Sequence, residues 1–96
     1  MATLEVHNGE GRVERFVLTR EQPLMFGSSP RADIILVGEG ILPFHGRVRW
    51  QVKKERYKID ASPEAEYLLV NGQKMASASF RQGDEIQVGD TRLRVG

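Results

Sequence analysis

The chain has no cysteine, which excludes a disulfide framework, a thiol nucleophile and a cysteine-based zinc site. Its two histidines, His7 and His45, form no cluster with metal-ligand spacing, so neither a metal nor another cofactor is expected. An excess of one charge is also missing. Lys and Arg number 14 against 13 Asp and Glu, a net +1, whereas a nucleic-acid binder usually carries a strong positive excess. The longest aliphatic run, Ile34 to Val37, is far too short to span a membrane. Residues Met1 to Gly11 lack the apolar centre of a signal peptide. A cytoplasmic domain is therefore expected, one that meets a membrane only through segments outside this sequence. Catalytic patterns are scarce too. Gly38-Glu39-Gly40 is a fragment of a dinucleotide fingerprint without the third Gly or the following helix. Asp60, Glu64 and Glu66 stand near no evident nucleophile or partner base, so no enzyme is expected.

No stretch repeats apolar residues at a 3.6-residue spacing over three turns; alternation with period two recurs instead. In Arg47-Val48-Arg49-Trp50-Gln51-Val52-Lys53, the residues Val48, Trp50 and Val52 are expected to point inward and the charged ones outward. Thr91-Arg92-Leu93-Arg94-Val95 repeats the logic with Leu93 and Val95. Further strands are expected at Leu4–Val6, Val13–Leu18, Leu24–Phe26, Ile34–Leu36, Tyr57–Ile59, Tyr67–Val70 and Glu85–Val88. Turn residues separate them: Asn8-Gly9 and Asn71-Gly72 suit type I′ hairpins, Gly89-Asp90 a type II′, and Lys53-Lys54-Glu55-Arg56 a polar hairpin loop. With 96 residues and 40% hydrophobic content, the expectation is one domain over residues 1–96, a part of a larger protein. Short strands without a crossover helix make it an all-β antiparallel sandwich.

One stretch is denser in signals than the rest. Phe26-Gly27-Ser28-Ser29-Pro30-Arg31-Ala32-Asp33-Ile34-Ile35-Leu36 is followed by Ile41-Leu42-Pro43-Phe44-His45-Gly46-Arg47-Val48-Arg49. A glycine turn, an Asp before a short strand and a His leading into an alternating strand resemble the forkhead-associated (FHA) domain. Val70-Asn71-Gly72 and Gly83-Asp84-Glu85-Ile86-Gln87-Val88-Gly89 extend the resemblance from about Leu24 to Val95. It implies an eleven-stranded sandwich with phosphothreonine-peptide loops at one end, here Gly27–Asp33, Val37–His45 and Asp60–Leu68. It also assigns structural roles to Asp33, His45, Asn71 and Gly72. The ligand positions differ: the phosphate-pairing Arg is replaced by Ser28, the donating Ser by Leu42, and the peptide-holding Asn falls near Glu66. Phe-Gly-Ser and a Pro two residues before the His are also similar to the cytoplasmic FHA-like domain of the type III secretion inner-membrane ring protein.

The three loops hold Arg31 against Asp33, Glu39, Asp60, Glu64 and Glu66, a local sum of −4 that disfavours a dianionic phosphate. The expected function is a non-catalytic protein–protein interaction module that does not read phosphothreonine in the usual way. Its candidate partner face comprises Gly27, Ser28, Ser29, Arg31, Leu42, Pro43, Phe44 and Glu66. The alternatives are a phosphothreonine reader using a displaced site at Arg31 or Arg47, and a structural ring or scaffold component. Leu42-Pro43-Phe44 either folds onto the core or offers an apolar contact patch. Arg47, Arg49 and Lys53 are expected on one strand face and Arg92 and Arg94 on another, so that opposite charge at the two ends would permit self-association.

Overall fold

A computed structural model describes residues 2–8 and 11–96. Eleven strands run in chain order: β1 (Thr3–His7), β2 (Val13–Val17), β3 (Leu24–Gly27), β4 (Ile34–Ile35), β5 (Gly46–Gln51), β6 (Arg56–Ala61), β7 (Leu68–Val70), β8 (Gln73–Met75), β9 (Ser77–Phe80), β10 (Glu85–Val88) and β11 (Thr91–Val95). They form a six-stranded sheet, β2-β1-β11-β10-β7-β8, and a five-stranded sheet, β4-β3-β5-β6-β9. Among the described residues there is no helix, so none is long and apolar enough to cross a membrane.

The inward residues of the alternating strands meet between the sheets. Leu4, Val6, Ile86, Val88 and Leu93 from one sheet pack against Phe26, Ile34, Val48, Ile59 and Phe80 from the other. Burial of such side chains is worth about 1.5–3 kcal/mol each and drives the two layers together. An aromatic row closes the end remote from the β3–β4 loop. Trp50 meets Tyr57 edge-on at 4.8 Å, Tyr57 stacks on Phe80 at 6.0 Å, and the Tyr57 hydroxyl donates to the Leu18 carbonyl.

Four expectations are corrected. Val52 does not face the core: it is 77% exposed in the four-residue turn between β5 and β6, because Gln51 already pairs with Arg56. Lys53 lies in the same turn and so leaves the strand face of Arg47 and Arg49, and the hairpin loop runs from Val52 to Glu55. Tyr67 precedes β7 and is exposed. The fold class itself is the expected all-β sandwich of eleven strands, antiparallel throughout except that β3 and β4 pair in parallel, Phe26 with Ile34 and Gly27 with Ile35.

Turn chemistry follows the sequence where it can be followed. Asn71 and Gly72 have φ of 50° and 84°, as a I′ turn requires between Val70 and Gln73. Gly89 has φ 59° and Asp90 does not share the positive φ, the II′ pattern between Val88 and Thr91. The expected Asn8-Gly9 turn falls on Gly9, which lies outside the described residues.

Candidate functional site

The β3–β4, β4–β5 and β6–β7 loops converge at one end because their backbones bond to each other. The parallel β4 needs the chain to curl back after Gly27. Asp33 secures that curl: its carboxylate accepts the Met25 N–H at 2.8 Å. The next loop docks on the first through the Ser28 and Ser29 N–H groups, which donate to the Leu42 and Pro43 carbonyls at 3.0 and 3.1 Å. The third loop joins through the Ser62 N–H, donating to the His45 carbonyl at 2.9 Å. Within it, Ala65 and Glu66 both donate to the Ser62 carbonyl, and Glu66 ends this single turn at φ 69°.

His45 sits where the loops meet. Its backbone N–H donates to the Phe26 carbonyl, its Nδ1 accepts the Leu42 N–H at 3.1 Å, and its ring stacks on Phe26 at 6.4 Å. The imidazole is thus an internal acceptor that shapes the Leu42–Pro43 turn. Burial pushes its pKa below the usual histidine value. A folded pKa below the unfolded one means that neutral His45 contributes stability above the unfolded pKa, about 6.5, and that this is lost as pH falls through the folded value. The urea midpoint should therefore drop between about pH 7 and pH 5. His45→Asn keeps an acceptor without a titrating proton and should flatten the curve in that window. An equally steep curve in the variant would assign the effect to other groups.

The candidate contact residues have distinct settings. The Ser28 hydroxyl donates to the Ile41 carbonyl, and the Ser29 hydroxyl accepts the Arg31 N–H, so both serines serve the loop. Arg31 is exposed and pairs with no described carboxylate. Leu42 is half-buried, Pro43 exposed and Phe44 38% exposed. None of the three belongs to the hydrophobic core, so the turn presents apolar surface at the loop end. Asn71 and Gly72 lie at the opposite end, where the Asn71 side-chain Oδ1 accepts the Glu85 N–H and its Nδ2 donates to the Asp84 carboxylate.

Sequence reasoning misplaced one charge and missed another. Asp60 belongs to β6, on the outer sheet face, where Arg49 at 2.8 Å, Arg47 at 3.5 Å and Lys58 at 3.8 Å surround it. It therefore leaves the acidic loop set. Asp90 enters, because the β10–β11 turn docks on the β4–β5 loop. The Asp90 carboxylate accepts the Glu39 N–H at 2.9 Å, and its own N–H returns to the Glu39 carbonyl. Loops 28–33, 37–45 and 62–67 with turn 89–90 still sum to −4, counting Arg31 against Asp33, Glu39, Glu64, Glu66 and Asp90.

Two depressions flank the docked loops. One of about 230 Å³ is lined by Gly40, His45, Ala65, Tyr67, Leu69 and Gln87, among others. Its Tyr67 ring is 41% exposed, with the Lys74 ammonium 4.8 Å from the ring centre. The second, of about 380 Å³, lies on the outer face between Met25, Arg47, Asp60, Ser62 and Pro63. The surface is thus apolar and aromatic with an acidic surround. Among the described residues, no group of three His, Cys, Asp or Glu side chains could hold a metal ion.

The family model for the cytoplasmic domain of the inner membrane component of the type III secretion system matches residues 5–96. No curated protein matches the chain. Among solved structures, the FHA domain of the CT664 protein from Chlamydia trachomatis is similar, with 21% identity and a TM-score of 0.84. The match covers 98% of this chain and 94% of that one. The Slr1951 protein from Synechocystis sp. is 25% identical with a TM-score of 0.83, covering 99% and 96%. The FhaA FHA domain, solved in complex with the intracellular domain of Rv3910, is 22% identical with a TM-score of 0.81 over the whole of both chains. The fold is that of FHA domains.

Proposed function

The chain belongs to the family of cytoplasmic domains of the type III secretion inner membrane component, and from that premise we propose that it is a non-catalytic protein-interaction module of FHA type whose recognition does not depend on phosphothreonine. The partner face is the loop end: Ser28 to Arg31, the Leu42-Pro43-Phe44 turn, and the Glu66-Tyr67 edge. The setting is a structural assembly rather than a phosphorylation-dependent signal.

One observation carries this reading. Where an FHA phosphate site needs donors, the donors here are already used. Ser28 stands in place of the Arg, and the Ser28 and Ser29 N–H groups are donated to the Leu42 and Pro43 carbonyls. A bidentate Arg–phosphate contact is the strongest attraction such a site can offer, and the serine at position 28 cannot make it. The surrounding −4 acts in the same direction. What the loop end offers is exposed Phe44 and Tyr67, the aromatic kind of side chain that anchors protein contacts.

The test is titration with a phosphothreonine peptide library beside its unphosphorylated counterpart. Equal, weak or absent binding to both is expected. Micromolar binding that vanishes on dephosphorylation would sink the proposal and favour a displaced site at Arg31 or at Arg47. Arg47 borders the outer depression, but it shares Asp60 with Arg49 and Lys58.

A further inference from the structure

Charge is segregated along this chain in a way its near-neutral total conceals. The β5–β6 hairpin, residues 46–61, holds six cations (Arg47, Arg49, Lys53, Lys54, Arg56, Lys58) and two carboxylates (Glu55, Asp60), a net +4. The other eighty residues together carry −3. At the hairpin root, Asp60 offsets part of the charge. Toward the tip the one carboxylate is Glu55, and Lys53, Lys54 and Arg56 pair with no described carboxylate.

The tip also carries Val52, the most exposed large hydrophobic residue among those described. The turn projects it from the end opposite the partner loops. Arg20 lies 4.1 Å over the Trp50 ring beside it, and Arg81 follows β9 at the same end. Besides Glu55 in the turn, two carboxylates stand close in sequence to Arg81 and Arg20. Asp84 is occupied by the Arg81 N–H and the Asn71 amide, and Glu21 lies in the exposed loop before β3. An apolar residue amid unpaired lysines and arginines is the arrangement that suits a lipid–water interface. The apolar group enters the headgroup layer while the cations meet its negative charge.

We infer that the tip and outer face of the β5–β6 hairpin form a contact surface for anionic lipid headgroups. The inference rests on this charge distribution and on family membership, which places the domain beside a membrane; it does not require the loop-end reading. A sheet face and turn carrying +4 cannot anchor a protein irreversibly. They can orient a domain that is already close to the bilayer, with its partner loops turned away. Attraction of this kind acts within a Debye length, about 8–10 Å at moderate salt, so it should be salt-sensitive.

The experiment is sedimentation of the chain with neutral phosphatidylcholine vesicles and with vesicles containing about 30% phosphatidylglycerol, at low and at physiological salt. Preference for the anionic vesicles, weakened by salt, is expected. Lys53→Ala with Lys54→Ala should lower that partitioning about twenty-five-fold, at about fivefold per cation, and Val52→Asp should lower it as well. All three residues are exposed in a turn, so circular dichroism should be unchanged. Equal binding to both vesicle types, no binding at low salt, or a preference that survives the double substitution would each overturn the inference. So would binding to soluble polyglutamate without binding to vesicles, which assigns the hairpin to an acidic protein partner. Phe44→Ala should leave vesicle binding untouched, which separates failure here from failure at the loop end.

Discussion

Gly27→Ala should destabilise the domain by about 3 kcal/mol, because a methyl group there has nowhere to go. A Cβ built on Gly27 would lie 2.1 Å from the Pro43 carbonyl oxygen and 2.7 Å from that of Leu42. Both neighbours are backbone, so no rotamer change relieves the clash. The β4–β5 loop must lift. Lifting it breaks the Ser28–Leu42 and Ser29–Pro43 hydrogen bonds and pulls the Leu42 N–H away from His45. Each lost bond is worth about 1 kcal/mol and strands donors that had been satisfied. In a domain of this size the shift in melting temperature should be about 15 °C. Ser28→Ala is the natural comparison. It removes only a hydroxyl contact to the Ile41 carbonyl at an exposed position and should cost well under about 1 kcal/mol. Comparable melting temperatures for Gly27→Ala and wild type would show that the close seating of the two loops is dispensable.

That glycine marks how far the sequence could be read. Its place in a Phe-Gly-Ser turn was visible; the reason for it, two carbonyls from a loop some fifteen residues on, was not. The strongly alternating strands were legible because their inward residues are large: Val48 in β5, Leu93 and Val95 in β11, Ile86 and Val88 in β10. β8 and β9 were missed for opposite reasons. Gln73-Lys74-Met75 is an exposed edge strand with no inward row to reveal it. Ser77-Ala78-Ser79-Phe80 does alternate, but its inward residues begin with a small Ala and its outward ones are serines, so the contrast is weak. Val52 continued the alternation of β5 by sequence alone. The register of Gln51 with Arg56 ended the strand first.

The candidate site is legible in its local chemistry and not in its long-range ties. The substitutions at Ser28 and Leu42, and the apolar character of the 42–44 turn, could be seen directly in the sequence. Asp60 looked like a loop carboxylate because nothing local announces that Arg49 across the hairpin claims it. Asp90 looked like turn chemistry alone, although it also binds a loop fifty-one residues away in sequence. Both are contacts between residues that the chain separates and the sheets bring together. Such contacts move charges into or out of a site without any local signal.

Ser28→Arg, Leu42→Ser and Glu66→Asn together should give the domain phosphothreonine affinity, about a thousandfold above wild type. Arg at position 28 adds a charge-assisted contact worth about 1.5–3 kcal/mol, and Ser and Asn add about 1 kcal/mol each. The structure can accept all three. Residue 28 is exposed, so a long side chain has room. The bonds of Leu42 to Ser28 and His45 run through its backbone, so a serine side chain leaves the turn tied down. Residue 66 has φ 69°, a region that Asn enters more readily than Glu. Two of the changes also reduce the local charge of these loops from −4 to −2. Isothermal titration with a phosphothreonine peptide and its unphosphorylated twin measures the gain. Ser28→Arg alone should achieve only part of it, since the Leu42 and Glu66 positions would still lack donors. A folded triple variant that binds no better than wild type would mean that the loops are shaped for a different ligand geometry. Residues 28, 42 and 66 would then belong to a face of a different shape and would not themselves set its phosphate affinity.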